Sequence, residues 1–449
     1  MSKTLRIMVL ALALAVPSAG SPQAQAPAPA ARAAVLDSAQ ERAVVDEIAA
    51  LFNKNYIFAE AAGKVEEALR AKLAAGGFDR TAAAPDFARA VAAVILEVTK
   101  DRHTGFVYDP DMAENLRRLT GRSEEDARKV RERQLEQSRR DNFGFRRVER
   151  LPGNVGYIDF RVFESPDAAG PTAVAAMNFL AYGDAIIFDL RQNGGGDPAQ
   201  IQLISSYLFD EPVHLNDLYS RASGTTENYW TLPFVPGARA SKADVYVLTS
   251  GRTFSGAEEF SYNLQNLKRA TIVGETTGGG AHPTNTLIVQ RDFLLRVPIA
   301  RAVNPVSKTN WEGTGVKPDI AVPAAEAFDR AYALALEKLA AKATTPGRKA
   351  EYEWLLAGQK AKAAPVRVDD RTLRSYAGTY GERRVTFEKG ALFYRRTGPK
   401  YLLIPLTATL FALDGLDNFR IEFTVEAGRV TGLVGIYDDG ERQPSPRAK

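Results

Sequence analysis

The sequence predicts an α/β fold, with a helical region before the α/β core and an all-β domain after it. Between residues 151 and 345, continuous apolar segments of strand length alternate with helical segments, which is typical of a mainly parallel, covered sheet. Apolar residues repeat at helical spacing in residues 36–100. From residue 366 onward, short strand-like segments separated by turn sequences favour a closed or nearly closed β domain.

The first 26 residues have the pattern of a secretory signal peptide. Lys3 and Arg6 form a charged start, residues 7–16 are apolar, and small residues suited to cleavage follow. The apolar run is too short to span a bilayer, although an uncleaved anchor is the alternative. We therefore expect an exported protein, in the bacterial periplasm or outside the cell, with no membrane span after the signal is removed.

The rest of the chain is expected to form four regions. They are a helical N-terminal domain (36–110), a charged helical connector (111–150), an α/β core (151–345) and a C-terminal β domain (366–449). The charges of the connector are typical of a solvated helix. Within the core, we expect a hairpin over residues 284–300 and buried strands at residues 155–160, 185–190, 243–248 and 270–274.

The composition excludes several kinds of site and partner. The 449 residues include no Cys and three His, so thiolate nucleophiles and Cys-ligated metals are excluded and a multi-His metal site is disfavoured. The formal net charge is +4, which is too small to predict nucleic acid as a partner.

The first segment that could carry chemistry is TSGRTFSGAEE, residues 249–259, which joins a buried strand to a helix. It places Ser255 at a helix N-terminus, where backbone N–H groups stabilise developing negative charge. Ser255 and Glu258 also have the spacing of a capping box, so a purely structural role is the alternative.

The second segment is DLRQNGGGD, residues 189–197, which follows a buried strand. Consecutive glycines let several backbone N–H groups turn toward one point, as an oxyanion hole requires. A plain tight turn is the alternative. A phosphate-binding loop is less favoured, because no Gly-Lys-Ser/Thr follows.

Two further segments contain single candidate residues. His103 lies in DRHTGF directly after the helical region, and Glu312 lies in the loop NWEGTGVKPDI. A lone His after a helix is usually a surface or capping residue, and a Glu in a loop is usually an exposed charge. His282, in GGGAHP, is a rival to His103 as a general base.

Together these segments resemble one family, the tail-specific (C-terminal processing) serine peptidases. The chain is most similar to the branch of the tricorn core protease and interphotoreceptor retinoid-binding protein, over roughly residues 36–340. The most specific marks are DLRQNGGG, TSGRTFSGAEEF, VGETTGGG and EGTGVKPDI in this order. The resemblance implies a crotonase/ClpP-like α/β core.

The resemblance also implies residue roles. Ser255 is the expected nucleophile, and the amides of Gly195 (or Gly194 or Gly196) and Gly256 form the expected oxyanion hole. Processing peptidases with a Ser–Lys dyad carry a Lys after VGE, and residues 276–280 (TTGGG) contain none. Tricorn-like members use a His and a Glu instead. These map to His103 as the base and Glu312 as the carboxylate that orients it.

The sequence departs from the family in two places. Arg102 stands where tricorn has a Ser before its His. The chain between Phe106 and Leu151 is too short for the PDZ domain that captures substrate C-termini in many processing peptidases, so recognition of substrate tails is in doubt. The C-terminal domain, which begins at YAGTY, resembles the lipocalin-like domains of some secreted hydrolases.

These observations predict an exported serine endopeptidase that acts on peptides or proteins through a Ser-His-Glu arrangement. We expect neither a metal nor an organic cofactor. The alternative is a non-catalytic protein that binds apolar ligands or peptides on the same scaffold. The sequence predicts neither the natural substrate nor the oligomeric state.

Overall fold

The computed structural model describes residues 35–78, 83–120, 124–363 and 366–448. The signal peptide expected over residues 1–26 lies outside these ranges, so export stays a prediction. Within them, no helix combines the length and the apolar character needed to cross a bilayer. The chain divides into two compact units. The second unit comprises Arg150–Gly156, Gly183–Ile187 and the chain from Ala325 onward. The first unit comprises the other described residues up to Ala324.

The first unit begins with three helices, as the apolar spacing predicts. They are α1 (Ser38–Asn55), α2 (Ala59–Ala74) and α3 (Ala84–Thr99). Asp37 starts α1, because its carboxylate accepts a hydrogen bond from the Gln40 N–H at 2.8 Å. Lys100 ends α3 in a left-handed conformation (φ 54°), which turns the chain toward His103.

A three-stranded antiparallel sheet packs against these helices. Its order is β1 (Gly105–Tyr108), β10 (Phe293–Pro298) and β9 (Thr284–Val289). The β9–β10 pair confirms the predicted hairpin. Because β1 and β9 both run antiparallel to β10, they start at the same end of the sheet. The residues just before β1 and β9 are therefore brought together, and these include His103 and His282.

The charged region after β1 contains two helices, α4 (Pro110–Thr120) and α5 (Glu124–Arg140). A short 3₁₀ turn follows, and then the strand β2 (Phe145–Leu151), where the sequence predicts a helical connector up to residue 150. Only the ends of this strand, Phe145 and Leu151, are fully buried. Since β2 is the edge strand of its sheet, its charged middle can face water. The segment therefore lacks the apolar pattern from which a strand is predicted.

The predicted α/β core is confirmed. Its six-stranded sheet has the order β12-β8-β7-β4-β3-β2. Here β7 runs parallel to β8, and β8 parallel to β12. The remaining bounds are β3 (Val155–Phe160), α6 (Pro166–Leu180), β4 (Ala185–Asp189), α7 (Pro198–Ser206), β7 (Asp244–Thr249), α8 (Gly256–Asn266), β8 (Ala270–Gly274) and β12 (Ile320–Ala321).

A second small antiparallel sheet belongs to the same unit and was not predicted. Its order is β11 (Ala300–Val303), β5 (His214–Ser220) and β6 (Thr225–Trp230). Residues of β6 are mostly exposed and polar, so the segment lacks the apolar alternation that reveals a strand.

The second unit contains α9 (Ala327–Lys342), α10 (Pro346–Ala363), α11 (Asp370–Tyr376) and an eight-stranded sheet. The strands pair in chain order, and a bridge between Tyr380 and Arg447 brings the first and last together, so the predicted β domain is a nearly closed barrel. Its strands are β13 (Gly378–Tyr380), β14 (Arg383–Glu388), β15 (Ala391–Arg395), β16 (Tyr401–Pro405), β17 (Leu410–Leu413), β18 (Leu416–Glu426), β19 (Arg429–Tyr437) and β20 (Arg442–Pro446).

Candidate active site

Ser255 stands at the turn between β7 and α8. Its backbone has φ 52° and ψ −120°, a conformation that costs an L-residue about 1–3 kcal/mol and is found mostly at functional sites. The side chain is half-buried, so it remains accessible. The nearby Ser250 is buried, and its hydroxyl donates to the Arg191 carbonyl at 2.6 Å. Of these two serines, only Ser255 is both accessible and held in a strained turn.

Glu258 ties the Ser255 turn to the glycine loop that precedes β9. Its carboxylate accepts hydrogen bonds from the Ser255 N–H at 2.8 Å, the Gly279 N–H at 2.7 Å and the Gly280 N–H at 2.9 Å. The Thr277 hydroxyl also donates to it. Burial raises the pKa of Glu258, and these donors offset part of the increase. The predicted capping box with Ser255 is present, and the same carboxylate also fixes the loop.

The NGGG loop lies against the N-terminus of α8. A side chain at Gly195 (φ 102°) would collide with the Gly256 N–H, so glycine is required there. The Gly195 N–H donates to the Asn193 side chain at 2.8 Å, and the Gly194 N–H donates to the Arg161 carbonyl at 3.2 Å. Within the described ranges, the N–H groups of Gly196 and Gly256 have no hydrogen-bond acceptor.

His103 lies in the short turn between α3 and β1. The Asp101 carboxylate fixes this turn by accepting the His103 N–H at 2.9 Å. The imidazole packs on Phe254, the residue before Ser255, with ring centroids 4.8 Å apart. Its Nδ1 lies 3.6 Å from Oε2 of Glu312. His103 is therefore beside both the predicted carboxylate and the residue that precedes the predicted nucleophile.

Glu312 reaches this position from the loop after β11. The neighbouring Trp311 is buried, and its indole N–H donates to the Gly280 carbonyl at 2.7 Å. Oε2 of Glu312 accepts the Ala281 N–H at 2.6 Å. Its Oε1 is buried and has no hydrogen-bond partner among the described residues. Oε2 of Glu312 is thus held by the glycine loop, whereas Oε1 is available to accept a further contact.

His282, the rival base, lies on the other side of Glu312. Its Nδ1 is 2.7 Å from Oδ2 of Asp101 and 3.5 Å from Oε2 of Glu312. Its backbone nitrogen also lies 3.4 Å from Nδ1 of His103. Burial alone would raise the pKa of Asp101, but the His282 hydrogen bond and nearby N–H groups hold that pKa below its ordinary value. Asp101 was not identified from the sequence. Its DxH spacing from His103 is the one sequence signal that could have indicated it.

Part of the chain matches a known family. Residues 154–322 match the model of peptidase family S41. This segment of the α/β core is therefore similar to a family of serine-type peptidases. The predicted likeness to tail-specific peptidases is confirmed at this level.

Several solved structures are similar to this chain at low sequence identity. An S41 protease from Bacteroides fragilis NCTC 9343 is 23% identical, with a TM-score of 0.36, over 40% of this chain and 51% of that protein. This chain therefore spans about half of that relative. The photosystem II D1 C-terminal processing protease is 16% identical (TM-score 0.42; 63% of this chain, 93% of that one). The tricorn protease is 13% identical (TM-score 0.39; 65% and 35%).

The fold brings most of the predicted site residues together. His103, Glu312 and His282 form one cluster, and Ser255 is linked to it through Phe254 and Glu258. Within the described structure, no hydrogen bond joins the Ser255 hydroxyl to His103. The third histidine, His214, lies elsewhere, paired with Asp217 at 2.6 Å.

Two features of the α/β core near the site were not predicted. Asp189, at the end of β4, holds Arg191 through contacts of 2.9 and 2.6 Å, which anchors the start of the NGGG loop. Glu259, next to the capping Glu258, is buried. Burial and the negative charge of Asp197 raise its pKa to about 7, although polar side chains nearby lower it in part. Sequence patterns carry no signal for such a shift, because it depends on tertiary burial.

Proposed function

We propose that the protein is an exported serine endopeptidase in which Ser255 is the nucleophile, His103 the general base and Glu312 the residue that orients the base. The observation that carries this proposal is the 3.6 Å approach of His103 Nδ1 to Glu312 Oε2, beside the loop that Glu258 ties to the Ser255 N–H. A nucleophile, a base and an orienting carboxylate are the parts that acyl transfer requires.

In the proposed reaction, Ser255 Oγ forms a bond to the carbonyl carbon of the peptide while Nε2 of His103 takes its proton. Nδ1 faces Glu312, which stabilises the imidazolium that forms. The imidazolium then returns the proton to the leaving amine as the C–N bond breaks. Water repeats the sequence on the acyl-enzyme and releases the second product.

The oxyanion hole needs free N–H donors next to the nucleophile. The Gly195 amide is the first expectation from the sequence, but its N–H already donates to Asn193. Gly196, one of the two alternatives, has a free N–H and lies beside Gly256, since a side chain at Gly256 would contact the Gly196 N–H. We therefore assign the proposed hole to Gly196 and Gly256, with Gly195 providing the space in front of them.

The choice of His103 rather than His282 follows from their neighbours. His282 Nδ1 is engaged by Asp101, and its ring packs edge-on against Phe58 at 5.5 Å. His103 instead packs on Phe254, directly before Ser255. Contacts between base and nucleophile are often long in structures without substrate, so the lack of a direct hydrogen bond between His103 and the Ser255 hydroxyl in the described structure is compatible with this role.

The substrate is proposed to be a peptide or protein, met in the periplasm or outside the cell.

Labelling with a fluorophosphonate probe tests the proposal. Wild type and Ser250→Ala should be labelled, and Ser255→Ala should not, with melting temperatures close to wild type. Ser250 is the matched control, because it lies in the same loop but its hydroxyl is buried in a hydrogen bond. Labelling that survives in Ser255→Ala contradicts the assignment. An unlabelled wild type that binds fatty acids or retinoids tightly would support the non-catalytic alternative.

A further inference from the structure

We propose that Asp101, His282 and Glu312 form a binding site for Zn²⁺, and that Zn²⁺ bound there inhibits the peptidase by taking Glu312 away from His103. The metal is an inhibitor in this proposal and takes no part in peptide hydrolysis. The inhibitory effect rests on the proposed function, whereas the metal site itself rests on geometry alone.

The donor atoms of these three residues converge. One donor atom from each of Asp101, His282 and Glu312 lies within 4.8 Å of the other two. Tetrahedral Zn²⁺ with ligand bonds of about 2.0–2.2 Å needs donor atoms roughly 3.3 Å apart. The His282–Glu312 separation of 3.5 Å already fits. The Asp101–His282 separation of 2.7 Å is that of a hydrogen bond, and it would lengthen as the metal replaces the shared proton.

The backbone holds these donors in place before any metal binds. Oδ1 of Asp101 accepts the His103 N–H, which leaves Oδ2 directed toward His282. The parallel starts of β1 and β9 fix Asp101 and His282 at the same end of one sheet. Oε2 of Glu312 is positioned by the Ala281 N–H. A preorganised donor set loses little conformational entropy on binding.

The electrostatics of the cluster favour a cation. Two carboxylates share one imidazole in a largely buried space, and Glu312 Oε1 is buried without a partner in the described chain. A dication would balance the two negative charges, and Oε1 could complete its coordination. The Tyr56 hydroxyl, 3.3 Å from Oδ2 of Asp101, supports this ligand from outside. Imidazole with carboxylates suits Zn²⁺ better than Mg²⁺ or Ca²⁺, which prefer all-oxygen ligands.

Metal binding would change the catalytic cluster in a defined way. Glu312 Oε2 lies 3.6 Å from Nδ1 of His103 and 3.5 Å from Nδ1 of His282, so it contacts both histidines. Once it coordinates Zn²⁺, it no longer stabilises the imidazolium of His103. The structure therefore predicts reversible inhibition by Zn²⁺, relieved by a chelator.

Isothermal titration calorimetry with Zn²⁺ tests the site on the full-length protein. Wild type should bind one Zn²⁺ per chain, and His282→Gln and Asp101→Asn should each bind at least tenfold more weakly. His214→Gln is the matched control, because His214 pairs with Asp217 but has no second carboxylate in a metal-sized cluster among the described residues. Circular dichroism and thermal melts identify a variant that has unfolded, and the other variant then decides the result. Absence of binding, or binding that neither variant weakens, overturns the site.

Fluorophosphonate labelling at increasing Zn²⁺ tests the inhibition. Labelling of wild type should fall as Zn²⁺ is added and recover when EDTA is added. Labelling of His282→Gln should stay at the level it has without metal, at Zn²⁺ concentrations that abolish labelling of wild type. Zn²⁺ binding through His282 with unchanged labelling overturns the inhibitory role. If wild type binds Zn²⁺ but is never labelled, the proposed peptidase function fails and the metal site stands.

Discussion

His103 Nδ1 lies 3.6 Å from Oε2 of Glu312, although the two residues come from elements far apart in the chain. His103 follows the N-terminal helices, and Glu312 follows the small sheet that contains β11. Their meeting point is the loop of residues 278–281, which is held to Trp311 on one side and to Glu258 on the other. The candidate site therefore depends on this loop as much as on the side chains proposed to be catalytic.

Glu312→Gln should lower kcat/KM strongly while leaving Ser255 in place. The neutral amide cannot stabilise the imidazolium, and the comparable change in other serine peptidases costs up to about 10⁴-fold in kcat. Hydrolysis of a fluorogenic peptide library measures the effect. A variant with near-wild-type kcat/KM would show that Glu312 does not support the base.

His103→Ala should abolish hydrolysis and probe labelling, whereas His282→Gln should keep the larger part of kcat/KM. The reason is that only His103 packs on Phe254 next to Ser255. Both assays should be run without added metal and with a chelator. If His282→Gln is inactive and His103→Ala is active, the base has been assigned to the wrong histidine.

Gly280→Ala should lower activity with a smaller effect on stability. A Cβ at this position would overlap Cε1 of His103 and the Phe254 ring, so the imidazole must move. Gly251→Ala is the control, since a Cβ there meets nothing within 4 Å. We expect loss of kcat/KM in the first variant and near-wild-type kinetics in the second. Equal kinetics in both would show that the position of His103 is not restricted by the loop.

Glu259→Gln should remove a pH-dependent loss of stability. The pKa of Glu259 is raised from 4.5 to about 7, so the folded protein favours the neutral carboxyl. Its stabilising contribution is complete below about pH 4.5 and is lost as pH rises through 7. The amide variant should therefore match wild type at pH 5 and exceed it at pH 8.5 by up to roughly 3 kcal/mol.

Chemical denaturation of wild type and Glu259→Gln across pH 5–8.5 measures this difference. Glu275→Gln is the control, because backbone N–H groups lower the pKa of that exposed carboxylate, which stays ionised across this range, so its replacement should give a difference that does not vary with pH. A constant difference between wild type and Glu259→Gln across the range would contradict the raised pKa.

A chain that ends at residue 363 should still react with a serine-directed probe. All residues of the candidate site belong to the first compact unit, and the barrel belongs to the second. The truncation should lower the melting temperature, because it exposes Trp354 of α10, over whose ring the Arg420 guanidinium lies at 3.6 Å. A folded, soluble truncation that is not labelled would show that the barrel completes the site.

The sequence predicted those features that depend on local pattern. The buried strands β4, β7 and β8 are continuous apolar segments, and their ends carry the motifs that contain Gly195 and Ser255. The three N-terminal helices follow from apolar spacing. The strands β2 and β6 were not predicted, because edge strands with charged or polar faces lack the apolar pattern.

The tertiary structure decided which groups meet and which donors are free. Asp101 joins the cluster only because β1 and β9 start at the same end of a sheet whose centre is β10. The Gly195 N–H is taken by a side chain two residues away, so Gly196 and Gly256 keep the free amides. The pKa of Glu259 rises because packing removes water from its carboxyl. Sequence specifies each segment through short-range periodicity and turn chemistry, whereas distances between segments, and the burial that shifts a pKa, arise only when long-range packing closes the fold.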